Sequence, residues 1–551
     1  MLKSNKKHKQ KLRYFLSLIN DKNLINSEIP LFYEIILLIL ILFISIFSRF
    51  YRLSTIPGTI NRDEAFQGYI AYTLLKFGID SYGKRFPVYL AVWGHGASVF
   101  QSIIEIPFVY FMDLTVLAIR IPTAICSVIN LLIVYLMIKK FKGNQIALFS
   151  TYLLSISPYH IMIARWSLDC NLAPYFLTLG LYFFIKGADD DYFFIFSAIF
   201  YGISLYCYAN IWLVLPFIIL IQMIYFYMFN KKKINIIIFV SITILFLFAL
   251  PLMIFLLVNK NLIDEIQLKY MTIPKLIYIR DNEIKFNPID LLINIYNFIK
   301  IIISQNDEHI YNVIPNYGFY YKTSLFFLII GFIHCYNKIK EGNKNKKITL
   351  EFFLIIYIIA GTVIGILIKP NINRINIIFI PLIIICSFGI IIIFKNHKKL
   401  MIIPIIIYLI QFIDFEHYYF SKYNNIVHNS FFYQIDKAIQ FIKNDLNYNS
   451  SIALHIENYK KNMHPAILFY LKQDINNYLN TIIYKNKNES LLPLQYENIY
   501  FYYKNENNFG ASNITNNSYY LLVNRNHKIK KKFKKLFFKK KQFGYFYVYY
   551  K

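Results

Sequence analysis

Between residue 31 and about residue 414 the sequence returns repeatedly to apolar runs approaching 20 residues. A soluble core does not need such runs, whereas a helix crossing about 30 Å of hydrocarbon needs roughly 20 apolar residues. The chain is therefore expected to be a polytopic α-helical membrane protein. Spans are predicted over 31–50, 117–138, 145–163, 172–187, 192–210, 211–229, 235–258, 321–337, 350–368, 375–394 and 399–414, about eleven in all. Two further apolar stretches, 97–112 and 288–304, carry ionisable side chains: Glu105 in the first, Asp290 and Lys300 in the second.

Charge decides how these segments are arranged. The 59 Lys and Arg against 30 Asp and Glu give a net charge of +29, which on a soluble chain would point to nucleic acid. Here much of the excess lies in short clusters between apolar segments, which is what orients a membrane protein, so nucleic acid is not expected as a partner. With the N-terminus inside, the clusters at 139–142, 231–233, 338–347 and 395–399 all fall on one side. Counting 97–112 as a span would turn the next clusters outward, so both doubtful stretches are read as helices at the outer interface.

The expected organisation is a basic cytoplasmic N-terminus (1–30), a membrane domain (31–414) with external loops 51–116 and 259–320, and an external region 415–551. The first apolar run is too long for a signal-peptide core and no small-residue cleavage site follows it, so it reads as an uncleaved anchor. The last region alternates helix-like runs (431–445, 465–472) with strand-like ones (451–456, 499–503, 519–524, 544–550), as a small α/β domain would. The lysine-rich run 528–541 reads as a solvated or headgroup-facing surface. Five scattered cysteines, with no CxxC or Cys/His spacing, indicate neither a zinc site nor a disulfide framework.

Acidic pairs are scarce, which singles out Asn61-Arg62-Asp63-Glu64-Ala65-Phe66-Gln67-Gly68-Tyr69 just beyond the first span. The apolar positions that follow (Phe66, Tyr69, Ile70, Thr73, Leu74, Phe77, then Gly78) mark a helix with a glycine stop. Asn61 suits its N-cap and Glu64 the third position of a capping box. Asp63 has no such duty and is the better candidate for chemistry, with Glu64 beside it. Arg120, Arg165, Asp169 and Arg374 also fall at the outer ends of spans. Carboxylates with arginines at one membrane face suit a phosphate-linked lipid substrate, arginine holding the phosphate and carboxylate accepting a proton.

The order of these features resembles the protein O-mannosyltransferase and aminoarabinose-transferase superfamily, glycosyltransferase family 39. The resemblance rests on Asp63-Glu64 opening the first external loop, then 94–108, then Arg120-Ile121-Pro122, then Arg165 and Asp169. The bacterial branch is most similar, through the Asn-Arg-Asp-Glu-Ala-Phe-x-Gly-Tyr segment, Asp80-Ser81-Tyr82-Gly83 and Trp93-Gly94. The likeness is good over 50–210, fair to 415 and weak beyond.

It implies a type C glycosyltransferase fold and sugar transfer from a polyprenyl-phosphate carrier to an envelope glycan, lipid or protein at the outer face of the cell membrane. It further implies Asp63 as the base of an inverting displacement, Asp169 as a second acidic residue, and Arg374 as the arginine on the carrier phosphate. Arg120 matches a segment of structural character. The Lys-Pro-Pro pattern of the aminoarabinose branch is replaced by Val92-Trp93-Gly94-His95-Gly96, which argues against lipid A as acceptor. Metal dependence varies in the superfamily; His95, Glu105, Asp307, Glu308 and His309 could supply ligands to a divalent ion, but an ordinary surface cluster is the simpler reading, and no metal residue is assigned. Two competing readings are a transporter or flippase of lipid-linked sugars, which would favour charges mid-span, and a non-catalytic envelope assembly protein.

Overall fold

The computed structural model describes residues 29–92, 94–230, 235–394, 397–445, 451–456, 463–486, 490–503, 519–524, 539–544 and 546–550. Residues 1–28 of the basic N-terminus, Trp93, the 231–233 lysines, Lys395 and most of the 528–541 run lie outside the described residues.

Helix α1 (Leu31–Phe50) leads to α2 (Arg62–Phe77), the hairpin β1 (Leu90–Val92) and β2 (His95–Ala97), and α3 (Phe100–Met112). Next come α4 (Val116–Lys142), α5 (Asn144–Ser155), α6 (Pro158–Ala164), α7 (Ala173–Lys186), α8 (Phe193–Leu205), α9 (Asn210–Asn230) and α10 (Ile236–Asn259). A loop carrying β3 (Ile266–Gln267) and β4 (Thr272–Ile273) precedes α11 (Pro288–Ser304). Helices α12 (Ser324–Asn345), α13 (Leu350–Leu367), α14 (Phe379–Phe394), α15 (Ile402–Ser421) and the short α16 (Tyr423–Val427) complete the bundle.

Helices stand at every predicted span, but they are not alike. Among the described residues seven are long and apolar enough to cross a membrane: α1, α4, α9, α10, α13 and the helices through α14 and α15. The predicted span 145–163 is instead the pair α5 and α6, bent by 60°, which makes an eighth if counted as one. Pro158 causes the break, because it opens α6 at a first-turn position where its missing N–H is harmless, while it could not continue α5. Helices α7 and α8, with 14 and 13 residues, are each short of a full hydrocarbon thickness. The chain is a multi-pass helical membrane protein.

At the centre, α14 is apolar all round and buried along nearly its whole length. Gly389 makes this possible, since a Cβ there would stand 1.9 Å from the carbonyl oxygen of Phe327 on α12. Small residues at such crossings let backbones approach where lipid offers no hydrophobic drive.

Helix α4 carries both polar layers of the bundle. Its first turns hold Arg120, and its last turns hold Lys139 and Lys142, which pair with Glu34 of α1 and Glu351 of α13. From residue 120 to residue 139 the helix rises about 28 Å, close to one hydrocarbon thickness.

The C-terminal part is a seven-stranded mixed sheet. Its strands are β5 (Ser451–Ile456), β6 (Ile483–Asn486), β7 (Ser490–Tyr496), β8 (Ile499–Tyr503), β9 (Tyr519–Asn524), β10 (Lys539–Phe543) and β11 (Phe546–Tyr550), in the order β10-β11-β9-β5-β8-β7-β6. Strand β5 runs parallel to β8 and β9, and the other pairs are antiparallel. Helices α17 (Ile435–Asp445), α18 (His464–Leu471) and α19 (Ile475–Thr481) accompany the sheet. Ala65 and Tyr69 of α2 share one apolar cluster with Phe432, Ile435, Ala466 and Phe469, and the Tyr69 hydroxyl donates to the carbonyl of Gln473 at 2.8 Å. The sheet module thus packs directly on α2.

Candidate active site

Helix α2 starts where the sequence predicts. The Asn61 side chain accepts from the Asp63 N–H at 2.9 Å, and Glu64 Oε2 accepts from the Asn61 N–H at 2.9 Å, closing the capping box. Glu64 does more than cap. Its Oε1 accepts from Arg120 Nε and from the Ser167 N–H, each at 2.8 Å, and Oε2 also accepts from Arg120 Nη2 at 2.9 Å. With four donors on a carboxylate of zero exposure, Glu64 has no face left for a substrate.

Arg120 and Arg165 correct the expectation that both hold phosphate. Arg120 spends its remaining donors on the carbonyls of Leu53, Pro57 and, more weakly, Thr59. Arg165 donates to the carbonyls of Ser48, Tyr51 and Ile56 and lies over the rings of Tyr419 and Phe420. Both are fully buried. They mould the segment between α1 and α2 onto two guanidinium groups, because its carbonyls have no ladder partners of their own. A third buried arginine, Arg49, is engaged by Ser127, His160 and the Ser155 carbonyl; at a span end it looks in sequence like a snorkelling cation.

Asp63, on the next position of the same turn, faces a cavity of about 520 Å³. Asp169 and Arg374 line it too, so these three predicted residues meet at one site while Glu64, Arg120 and Arg165 stand behind it. Asp169 opens the short 3-10 turn Asp169–Leu172, where Oδ1 accepts from the Cys170 N–H at 2.8 Å and Oδ2 from the Ser98 N–H at 3.2 Å. Burial pushes its carboxyl up to about 6, with the charge of Asp63 adding to this and that of Arg280 opposing it. Arg374 donates through Nη2 to Glu283 Oε2 at 2.5 Å and through Nη1 to the Lys369 carbonyl at 3.0 Å.

Several cavity residues carry no sequence signal of their own. Arg280 lies in the β4–α11 loop, where an isolated arginine looks like any solvated charge. Its Nη2 rests against the ring nitrogens of His95 at 2.7 and 2.8 Å. Burial, with Arg280 beside it, holds His95 down to about 4, so the ring is a neutral acceptor. Arg62 pairs with Asp63 Oδ1 at 3.2 Å. Three cations and three carboxylates (Arg62, Arg280, Arg374; Asp63, Asp169, Glu283) therefore line one pocket.

A second cavity of about 590 Å³, lined almost wholly by apolar side chains of α7 to α10, shares Trp212 and Leu256 with the first. The charged cavity and the apolar one thus lie side by side at these two residues.

The side chains considered as metal ligands are dispersed. Asp307 accepts from Asn312 and from the Ile372 N–H, Glu308 pairs with Lys300, His309 stacks on Tyr311, and Glu105 is buried beside Ser167. Among the described residues no three His, Cys, Asp or Glu converge on one point. These residues do not fit a metal centre.

Residues 64–256 match the family model for dolichyl-phosphate-mannose-protein mannosyltransferase. No curated protein matches the chain. The structure of ArnT from Cupriavidus metallidurans bound to undecaprenyl phosphate is similar over 94% of this chain and 97% of that one, with a TM-score of 0.54 at 9% identity. The apo form of the same protein gives the same values. An apo oligosaccharyltransferase from Archaeoglobus fulgidus is matched with a TM-score of 0.48 at 10% identity, over 80% of this chain, which spans 64% of that protein's length. The family match begins at Glu64 and takes in Asp169, and the fold is shared across almost the whole of ArnT. Over residues 64–256 the chain is thus similar to the dolichyl-phosphate-mannose-protein mannosyltransferase family, and its fold is that of ArnT.

Proposed function

We propose that the chain transfers a sugar from a polyprenyl-phosphate carrier to an acceptor in the cell envelope, by a single inverting displacement at the outer face of the cell membrane. The observation that carries this reading is the adjacency of the two cavities: Asp63, Asp169 and Arg374 line a polar pocket that shares Trp212 and Leu256 with an apolar cavity beside it. An amphipathic donor with an isoprenoid tail and a phosphorylated head suits such an arrangement. The undecaprenyl phosphate in the ArnT structure is a ligand of this class.

In this reading Asp63 takes the proton of an acceptor hydroxyl. The hydroxyl oxygen then forms a bond to the anomeric carbon as the bond from that carbon to the phosphate oxygen breaks, with inversion. The electron pair leaves on polyprenyl phosphate, whose charge Arg374 and Arg280 stabilise. Both arginines would exchange their present partners, Glu283 and His95, for phosphate oxygens. Asp169 is the second carboxyl of the site, its partial protonation near pH 6 suiting it to hydrogen-bond a sugar hydroxyl. Arg120, Arg165 and Glu64 form the mount for this constellation.

The basic end of α4, opposite Arg120, supports a cytoplasmic N-terminus and an external sheet module under the positive-inside rule. The test is to incubate membranes containing the protein with radiolabelled polyprenyl-phosphate sugars and envelope extract. Label entering an acceptor, with one polyprenyl phosphate released per sugar, is the expected result. Lipid-linked sugar crossing the bilayer intact would mean a flippase instead.

A further inference from the structure

Glu105 on α3 is a buried carboxyl that the mechanism does not use. It has zero exposure, and its Oε2 has no hydrogen-bond partner among the described residues. Its Oε1 is engaged by the Ser167 hydroxyl and by Gln101 Nε2 at 2.7 Å. Ser167 lies in the connection between α6 and the 169–172 turn: its N–H donates to Glu64 Oε1 at 2.8 Å, and two residues on the chain delivers Asp169 to the cavity. Gln101 Nε2 also reaches Ser167 Oγ at 2.7 Å, so α3 grips this serine twice.

We propose that Glu105 is a positioning residue for the active site, holding the hydroxyl of Ser167 and thereby fixing the 165–172 turn that presents Asp169 beside Asp63. This rests on the reading of the cavity as the sugar-transfer site. A second arm of the same network holds the other oxygen of Asp169. The Ser98 N–H donates to Oδ2 at 3.2 Å, the Ser98 carbonyl accepts from Gln67 Nε2 at 3.1 Å, and Ser102 Oγ donates to the Gln67 carbonyl at 2.9 Å. Both arms start on α3, at Gln101, Ser102 and Glu105, one turn apart on a buried polar face of an otherwise apolar helix.

The charge state follows from the surroundings. Among the described residues no cation is paired with Glu105; the nearby charged pair is Glu64 with Arg120, and Arg120 is committed to Glu64 and to backbone carbonyls. An ionised Glu105 would be a buried charge without a counter-ion, next to a second carboxylate, which burial strongly disfavours. Burial accordingly raises its carboxyl well above the usual range. A neutral acid makes the same contacts without that cost, and an amide of the same shape can replace it.

The test compares wild type, Glu105→Gln, Glu105→Ala and Ser167→Ala in detergent, by hydrogen exchange over residues 165–172 and by transfer kinetics. The exchange readout follows the amides of Ser167, Cys170 and Asn171, each hydrogen-bonded in the folded turn. Glu105→Ala and Ser167→Ala should each speed exchange there about ten-fold, with exchange in α14 unchanged, while Glu105→Gln stays close to wild type. In the kinetics, the alanine variants should lower kcat by about ten-fold or more with donor KM shifted less than about two-fold. Glu105→Gln should restore kcat.

Exchange in Glu105→Ala equal to wild type would overturn the proposal, as would a Gln variant as disturbed as the Ala variant. If Glu105→Ala does not fold, Ser167→Ala carries the same test with a smaller deletion. Absence of transfer by wild type would sink the functional reading and leave the exchange result to decide the positioning.

Discussion

Arg120 and Glu64 meet through two parallel hydrogen bonds, Nε to Oε1 at 2.8 Å and Nη2 to Oε2 at 2.9 Å, with both side chains wholly out of solvent. One carboxylate of the acidic pair is thereby committed to structure, and its neighbour in sequence, Asp63, lines the cavity. Removing one partner of a buried pair strands the other charge, which typically costs about 3–5 kcal/mol. Glu64→Gln and Arg120→Met should therefore each lower the unfolding temperature in detergent and the amount of protein in the membrane. A Glu64→Gln protein with wild-type stability and no transfer would instead assign Glu64 to the reaction.

Arg374 and Arg165 should behave oppositely. Arg374 lines the cavity and is partly exposed, whereas Arg165 is buried among backbone carbonyls. Arg374→Ala should leave stability nearly unchanged and raise the donor KM about ten-fold or more, the size of a lost charge-assisted contact. Arg165→Ala should destabilise the fold, with the surviving protein binding donor normally. Donor titrations alongside thermal melts separate the two.

Asp169 carries a pH signature. Its carboxyl is pushed up to about 6 in the folded protein, against an ordinary value of about 3.9 when unfolded. Between these values the folded form binds more protons than the unfolded one, so Asp169 withdraws stability as pH rises through this window. Asparagine has no charge to desolvate. The unfolding temperature of Asp169→Asn relative to wild type should therefore increase from pH 4 to pH 7.5. A difference that is flat with pH would contradict the buried-carboxyl account.

The apolar cavity predicts dependence on carrier length. Ala249 lines it on α10, among Leu252, Met253 and Leu256. Ala249→Trp should fill part of the roughly 590 Å³ and slow transfer from long polyprenyl carriers more than from short-chain analogues. Equal slowing with both would place the isoprenoid elsewhere.

Gly68 tests how firmly the sheet module is held to the site helix. A Cβ at this position would lie 2.8 Å from Ile119 Cγ2 and 2.9 Å from Phe469 Cε2, so α2 passes between α4 and α18 only because the residue is glycine. Gly68→Leu should cost about 1–3 kcal/mol or more by overpacking and expose the C-terminal module to protease. Undiminished protease resistance would mean that the packing adjusts.

Much of this was legible because membranes restrict the choices. Apolar run length located the helices, and side-chain type at span ends pointed to Asp63, Asp169 and Arg374, which the structure gathers at one cavity. What stayed hidden depends on chain paths that periodicity does not encode. Arg280 reaches the cavity only through the fold of the 260–287 loop, clamped to the β1 segment by the Val88–Thr272 hydrogen bond and to Gly94 by Tyr278. Arg120 and Arg165 sat at the predicted ends of spans, but their targets are carbonyls of an irregular segment, which no side-chain pattern announces. Strand β10 went unforeseen because Lys539-Lys540-Lys541 has no apolar alternation; it is an exposed edge strand, where lysines discourage further pairing.

The most direct test of Asp63 as the base compares wild type with Asp63→Asn in membranes supplied with radiolabelled polyprenyl-phosphate sugar and envelope extract. Asparagine keeps the shape of the side chain and removes the base. At equal protein levels, transfer should fall by roughly 100-fold or more. Transfer equal to wild type would contradict the assignment of Asp63 as the base.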